Sequence, residues 1–236
     1  MAELTGSPLL AEADVHVWQI DLADARLDRL AGSLSPDEVD KAARLHTPEL
    51  AQQYRRCRAA LRCILGRYTQ QSPDTVVLEY GPYGKPCLPD ASLHFNLSHS
   101  ERYALVALAR DPVGVDIEGT GRAGINPAEL ASLLFHPEEL AAMASIAPEH
   151  RAAYFYALWT RKEAYSKRLG LGFQLDLCDV SFEATAGGWR VCDPAHSQAL
   201  AYCRELEGAP DGYLASVCTA HAGAAIGIAD AAPWFD

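Results

Sequence analysis

Four stretches of this chain carry residue types that can do chemistry together. In Val113-Gly-Val-Asp116-Ile-Glu118 two carboxylates stand two residues apart. On a strand, alternate side chains share a face, so Asp116 and Glu118 point one way and Ile117 the other. Neighbouring carboxylates repel and need a cation or a shared proton between them. A hard oxygen pair suits Mg²⁺, which keeps waters or phosphate oxygens as its other ligands. The competing reading is a strand end running into solvent, where paired acids are harmless. In Trp159-Thr-Arg-Lys162-Glu163-Ala-Tyr-Ser-Lys167, Glu163 and Lys167 share one helix face. As a surface ion pair they contribute less than about 1 kcal/mol; as a functional pair, Glu163 adds a third carboxylate to the same metal, with Lys167 beside it. Trp159 is expected to serve core packing. In Leu93-His94-Phe-Asn96-Leu-Ser98-His99-Ser100, Asn96 and Ser98 share a strand face, and His99 and Ser100 stand at its end. Such groups suit a phosphate, or simply a polar strand end. A serine-hydrolase reading finds no G-x-S-x-G elbow, and His99 adjoins Ser98 in poor geometry for a base. Tyr83-Gly84-Lys85-Pro86 joins a permissive glycine to a point charge. It is not a P-loop, because Pro86 replaces the Ser/Thr that motif requires, and by itself it is a turn.

The acid pair needs a strand and the Glu163–Lys167 pair needs a helix. Residues 148–169 predict a long helix opening at Pro148, with Tyr154, Leu158, Trp159 and Tyr165 among its apolar positions. Residues 93–97, 103–109 and 113–117 predict three successive strands. Upstream, residues 15–20 alternate as a first strand. Ser35-Pro36-Asp37-Glu38 is a helix start, with a serine cap, a proline at the first turn and acids behind it. Residues 48–68 predict a second long helix, with Leu50, Tyr54, Cys57, Leu61, Ile64, Leu65 and Tyr68 at helical spacing. Residues 75–80 predict a strand, followed by the turn Gly81-Pro-Tyr-Gly84. Asn126-Pro127 and His136-Pro137 open shorter helices, and strands return at 180–183, 189–192, 199–204 and 213–218. The tail, residues 222–236, is rich in small residues and is expected to pack loosely. The order predicts an α+β fold of two similar lobes in a pseudo-twofold arrangement. Each lobe is a long helix on a mainly antiparallel sheet; they join near Asp111-Pro112 and leave a cleft for a ligand.

Composition bounds these readings. With 236 residues, 49% hydrophobic and 22% charged, the chain can bury a real core and is not disordered, collagen-like or a coiled coil. No apolar run is long enough to span a membrane. The N-terminal segment has acidic Glu3 and no basic flank, so it is not a secretory signal. Seven cysteines, an odd count with no C-x-x-C pair, indicate reduced thiols and a cytoplasmic protein. A net charge of −11 argues against nucleic acid and anionic lipid as partners. The charge is uneven: Lys41, Arg44, Arg55, Arg56, Arg58, Arg62 and Arg67 gather in one stretch against Glu49 alone. That stretch is either a solvated helix face or a local anion site.

Together the motifs say more than each alone. G-K-P, then F-N-L-S-H-S, then G-V-D-I-E, then W-T-R-K-E-A-Y-S-K, in this order and spacing, resembles the 4′-phosphopantetheinyl transferase superfamily. The length is similar to that of its Sfp-type (surfactin-synthetase-activating) monomers, not the half-length trimeric acyl-carrier-protein synthases. The resemblance runs from about Ser35 to Glu183 and more loosely along the whole chain.

The resemblance implies an enzyme that moves the phosphopantetheine arm of coenzyme A to a serine hydroxyl of an apo acyl or peptidyl carrier protein, releasing adenosine 3′,5′-bisphosphate. It implies a lobe of residues 1–111 on the nucleotide side and a lobe of residues 112–236 on the metal and carrier side. Asp116, Glu118 and Glu163 would hold Mg²⁺, with Mn²⁺ as the alternative. Glu163 would also be the base, directly or through a metal-bound water. Lys167 would stabilise phosphate charge, His99 would contact a coenzyme phosphate with Ser98 beside it, and Lys162 would join the coenzyme contacts. Gly84, Lys85 and Pro86 match the loop around the adenine end; Lys41, Arg44 and Arg58 would face the 3′-phosphate. Family members often carry a basic residue where this chain has Glu38, which shifts the weight of that clamp to Lys41 and Arg58. Carrier docking is expected near Arg161, Arg168 and the residues following Gly121, on a surface that is locally apolar and basic. Two other readings stay open from the residues: a Mg²⁺-dependent phosphohydrolase using the same three acids, and a non-catalytic module binding coenzyme A or a carrier.

Overall fold

Every described α-helix begins at a proline, whose missing N–H costs nothing in a first turn. These are α1 (Pro36–Ala43), α2 (Pro48–Thr69), α3 (Pro127–Leu134), α4 (Pro137–Ser145) and α5 (Pro148–Leu169), in a computed structural model that describes residues 10–121, 124, 126–198 and 200–235. The predicted starts hold because a cap is a local signal. Thr47 accepts from the Leu50 N–H at 3.2 Å. At α1 and α4 the third helical residue is a glutamate that reaches back, Glu38 to the Ser35 N–H at 3.0 Å and Glu139 to the His136 N–H at 2.8 Å. No described helix is long and apolar enough to cross a membrane.

The strands are β1 (Val15–Asp21), β2 (Glu79–Tyr80), β3 (Pro86–Cys87), β4 (His94–Ser100), β5 (Tyr103–Ala109), β6 (Gly114–Gly119), β7 (Ser181–Thr185), β8 (Gly188–Cys192), β9 (Tyr202–Glu205), β10 (Tyr213–Thr219) and β11 (Ile226–Asp230). They form one sheet in the order β11-β1-β5-β4, a second in the order β6-β10-β9-β8-β7, and the small hairpin β2-β3. Among the described residues, only β1 and β11 pair in parallel within the sheets.

Alternation along the strands builds the layers. Trp18 and Ile20 of β1, with Ala104, Val106 and Leu108 of β5, turn to one side and meet Cys57, Leu61, Ile64 and Leu65 of α2. Val15, Val17, Leu105 and Ala107 turn to the other and meet Val115 and Ile117 of β6 and Val217 of β10. On the far side of the second sheet, Cys203 and Cys218 meet Ala164 and Tyr165 of α5. The molecule is therefore α+β, stacked as helix, sheet, sheet, helix.

Two expectations change. Residues 75–80 are not one strand: a 3-10 turn occupies Pro73–Thr75, Val76 drops into the core, and only Glu79–Tyr80 pairs. The tail does not pack loosely. β11 lies along β1, the rings of Trp234 and Trp18 sit 3.8 Å apart, and Phe235 is buried. Small residues there allow close strand pairing, and the two aromatics then fill the end of the α2 core.

Candidate active site where two sheet edges meet

β4 and β6 are edge strands of different sheets, and an exposed edge leaves backbone groups to satisfy. Here side chains do so. Asn96 Oδ1 accepts from the Val115 N–H at 2.8 Å, and Ser100 Oγ from the Gly119 N–H at 3.2 Å. The period of two that puts Asn96, Ser98 and Ser100 on one face of β4 matches the period that puts Asp116 and Glu118 on one face of β6. The two rows meet: Ser98 Oγ donates to Asp116 Oδ1 at 2.8 Å and Ser100 Oγ to Glu118 Oε2 at 2.9 Å.

The helix α5 closes the arrangement. Lys167 Nζ lies 2.5 Å from Asp116 Oδ1 and 2.8 Å from Ser98 Oγ. Trp159 Nε1 donates to Glu118 Oε1 at 3.3 Å, so this indole has a polar role that the expected core packing omits. Behind Asp116, Ser216 on the paired position of β10 shares a 2.9 Å hydrogen bond with Thr160 of α5. Helix and strand approach closely because residue 114 is glycine: a Cβ there would lie 1.9 Å from the Ala164 carbonyl oxygen.

Glu163 is where charge accumulates. Burial, and then the Asp116 carboxylate, push its pKa up to about 7; Glu118 adds to the rise and Lys167 opposes it. Asp116 keeps one oxygen, Oδ2, buried without any hydrogen-bond partner. An orphaned carboxylate oxygen beside two further acids is what a hard cation would satisfy. Among the described residues no three acidic, imidazole or thiol side chains already form a metal cage, and Lys167 is the cation that Asp116 meets. Beside Glu163 and Lys167 lies a groove of about 570 Å³, floored by Trp159, Leu175 and Leu177 and rimmed by exposed Leu133 and Phe173. A larger cavity of about 630 Å³, at the end of α2, shares none of these residues.

The remaining site expectations divide. His99 falls on the opposite face of β4 from Ser98, turned to the α2 side and exposed. Lys41 and Arg44 are exposed, Lys41 over the Tyr54 ring at 5.4 Å. Arg58 is buried instead. Its Nε meets Glu38 Oε1 at 2.6 Å and its Nη2 meets Tyr80 Oη at 3.1 Å, while Arg62 Nε takes the other Glu38 oxygen at 2.5 Å. Glu38 is thus the buried counter-ion of two arginines, not a gap in a phosphate clamp. Although burial alone would raise its pKa, Arg58 and Arg62 hold it below the usual range. Gly84, at φ +83°, turns the β2–β3 hairpin, and Pro86 starts β3. Lys85 leaves that hairpin for the interior, donating to the carbonyls of Val113 and Arg168 at 3.0 Å each.

Lys162 corrects the list of coenzyme contacts. Its ammonium is wholly buried on the far side of α5, bonded to the carbonyls of Leu177 (2.8 Å) and Val180 (2.5 Å) and to Glu139 (2.8 Å). Three donors meet three acceptors, so it ties α5 to α4. Arg161 and Arg168 are buried as well. Arg161 stacks over Trp189 at 4.1 Å and Arg168 donates to Pro112 and Leu200 carbonyls, so neither forms a docking surface. Of the residues following Gly121, positions 122, 123 and 125 lie outside the described residues.

Known proteins bear on this geometry. Residues 112–218 match the model of the 4′-phosphopantetheinyl transferase superfamily. 4′-Phosphopantetheinyl transferase HetI of Nostoc sp. is 34% identical over 86% of this chain and 85% of its own. 4′-Phosphopantetheinyl transferase Sfp of Bacillus subtilis is 30% identical over 85% of this chain and 88% of its own. Among solved structures, holo-[acyl-carrier-protein] synthase of Thermotoga maritima overlaps 45% of this chain and 61% of its own at 19% identity, with a TM-score of 0.35. With relatives of this identity spanning nearly their whole length, the chain belongs to the 4′-phosphopantetheinyl transferase superfamily, as one of its Sfp-type enzymes, the transferases that activate carrier proteins.

Proposed function

We propose that the meeting point of β4, β6 and α5 transfers the phosphopantetheine arm of coenzyme A to a serine hydroxyl of an apo acyl or peptidyl carrier domain and releases adenosine 3′,5′-bisphosphate. One observation carries this: the orphaned Asp116 oxygen beside Glu118, Glu163 and Lys167. Asp116, Glu118 and Glu163 would hold Mg²⁺ or Mn²⁺. Bound there, the ion would neutralise pyrophosphate charge and polarise the phosphorus under attack.

The chain's own groups supply the rest. The carrier serine oxygen forms a bond to the β-phosphorus, and the bond from that phosphorus to the bridging oxygen breaks. A Glu163 carboxylate oxygen takes the serine proton. The Lys167 ammonium, already within reach of Ser98 and Asp116, stabilises the phosphate oxygens as charge moves to the leaving group. His99, with exposed Lys41 on α1 and exposed Arg44 just after it, serves the coenzyme phosphates and its 3′-phosphate. The Gly84–Pro86 turn backs the adenine end. Arg58 acts there only through the Glu38 network that holds it.

The site lies in a cleft between two pseudo-twofold lobes, residues 1–111 carrying the nucleotide side and 112–236 the metal and carrier side, with β11 crossing back onto β1. The carrier docks on the apolar rim of Leu133 and Phe173, which continues directly from Glu163. All seven cysteines are free thiols, which suits the cytoplasm, and the chain acts as a monomer.

The test is an intact-mass assay of an apo carrier domain incubated with the enzyme, coenzyme A and Mg²⁺. The expected result is a gain of one phosphopantetheine unit that EDTA abolishes. Coenzyme A consumed without carrier modification would instead mark a phosphohydrolase, and coenzyme A bound but intact a binding module.

A further inference from the structure

We propose that Lys85 is a positioning residue of the transferase: its ammonium ties the Arg168 carbonyl at the end of α5 to the Val113 carbonyl immediately before β6, and so sets how Glu163 and Lys167 face Asp116 and Glu118. This rests on the function given above. Both bonds are 3.0 Å. The Arg168 carbonyl is among the last of α5, where a helix has no partner of its own to offer and where a cation is favoured. Arg168 follows Lys167 directly, and Val113 stands three residues before Asp116. The tie therefore acts beside the reacting groups, on the two elements that carry them.

The surroundings are built for such a joint. α5 and β6 touch backbone to backbone, since a Cβ on Gly114 would lie 2.5 Å from the Arg168 nitrogen as well as against Ala164. Arg168 Nε adds a second tie at the same place, to the Pro112 carbonyl at 3.1 Å. α5 ends in Gly170 at φ +74°, and a Cβ there would come within 3.1 Å of Lys85 Cδ, so the lysine stem runs across the helix end. The hairpin that delivers Lys85 is closed by the Gly81 N–H on the Lys85 carbonyl at 2.9 Å. Burial, with the neighbouring Arg168 guanidinium, lowers the Lys85 pKa to about 8. A side chain bound in this way from the β2–β3 hairpin links the proposed nucleotide side to the carboxylates.

The experiment compares the full-length wild type with Lys85→Met, and with Lys85→Gln as a second variant that retains a donor. Transfer kinetics are run well below the unfolding temperature of each variant. Mn²⁺ binding is followed separately by electron paramagnetic resonance. Positioning predicts that kcat falls about 10- to 100-fold while KM for coenzyme A changes less than about threefold, and that Mn²⁺ binds about 10-fold more weakly. Lys85→Gln should lose less than Lys85→Met, because the amide keeps an N–H donor for the two carbonyls. A raised KM for coenzyme A with kcat kept would make Lys85 a coenzyme contact and overturn the proposal. Lowered thermal stability with kcat, KM and Mn²⁺ affinity all kept would reduce it to a fold tie and overturn it equally. If the wild type transfers nothing, the functional reading falls, and the Mn²⁺ comparison alone decides whether Lys85 sets the spacing of the acids.

Discussion

Two charged clusters in this molecule look alike in sequence and differ in what they leave unsatisfied. Around Glu38, both carboxylate oxygens are used, by Arg58, by Arg62 and by the Ser35 N–H, and Arg62 Nη1 goes on to the Val76 carbonyl at 2.7 Å. Around Asp116, one oxygen takes Ser98 and Lys167 while the other has no partner, and Glu163 sits close enough to be pushed up to about 7. The first cluster is complete without a ligand. The second becomes complete only if something positive and oxygen-seeking arrives. Residue type does not separate structural from functional charge here; the completeness of the hydrogen bonding does.

The largest expected effect breaks the second cluster. Glu163→Gln keeps the shape of the side chain and removes its charge. Carrier modification should fall by about a thousandfold, or about 4 kcal/mol of barrier. Thermal stability without metal should hold or rise, because the substitution relieves crowding with Asp116 and Glu118. Steady-state kinetics and a melting curve on the same preparation check both halves. Near-normal turnover would remove Glu163 from both proposed roles.

Breaking the first cluster should do the reverse. Glu38→Gln leaves two buried guanidinium groups facing an amide, and removing one member of a buried ion network costs about 3 kcal/mol. Urea unfolding should show that loss, while kcat per folded molecule stays close to wild type. Losing kcat at unchanged stability would mean that Glu38 acts on the coenzyme after all, and the distinction between the two clusters would fail.

This contrast also marks what could be read from the chain alone. Helix starts were legible because each is a few adjacent residues: Ser35-Pro36, Asn126-Pro127 and His136-Pro137. The acid pair was legible because strand alternation alone places Asp116 with Glu118, and the same alternation in 94–100 prepares the serines they meet. Lys162, Arg58, Arg161 and Arg168 were misleading because their acceptors come from far along the chain. Glu139 lies on another helix, and Glu38 twenty residues from Arg58. Helical spacing shows which face a residue occupies, not whether a distant segment will cover that face. The tail failed for the same reason, since β11 is defined only by its parallel partner β1.

Lys85 sharpens the comparison as a third kind of buried charge, a cation held by carbonyls. Its folded pKa of about 8 lies below the ordinary lysine value of 10.5. Between those values the unfolded chain binds more protons than the folded one, so this group makes stability rise with pH across the window. Its contribution is fully present above about 10.5 and is lost as pH falls through about 8. Two buried thiols oppose it at the alkaline end, since burial pushes Cys57 up to about 12 and raises Cys203, while the Arg168 guanidinium lowers the Lys85 value and Cys218 and Cys87 act on it in the other direction. The quantity to measure is therefore the difference between wild type and Lys85→Met in urea-unfolding free energy at pH 7.5 and pH 9.5. Relative to the variant, the wild type should gain about 1 kcal/mol over that interval, a value reduced from the full shift because the lysine stem is partly solvated. No gain would mean that the two carbonyls hold the ammonium as well as water does, and that the tie between α5 and β6 carries no electrostatic cost.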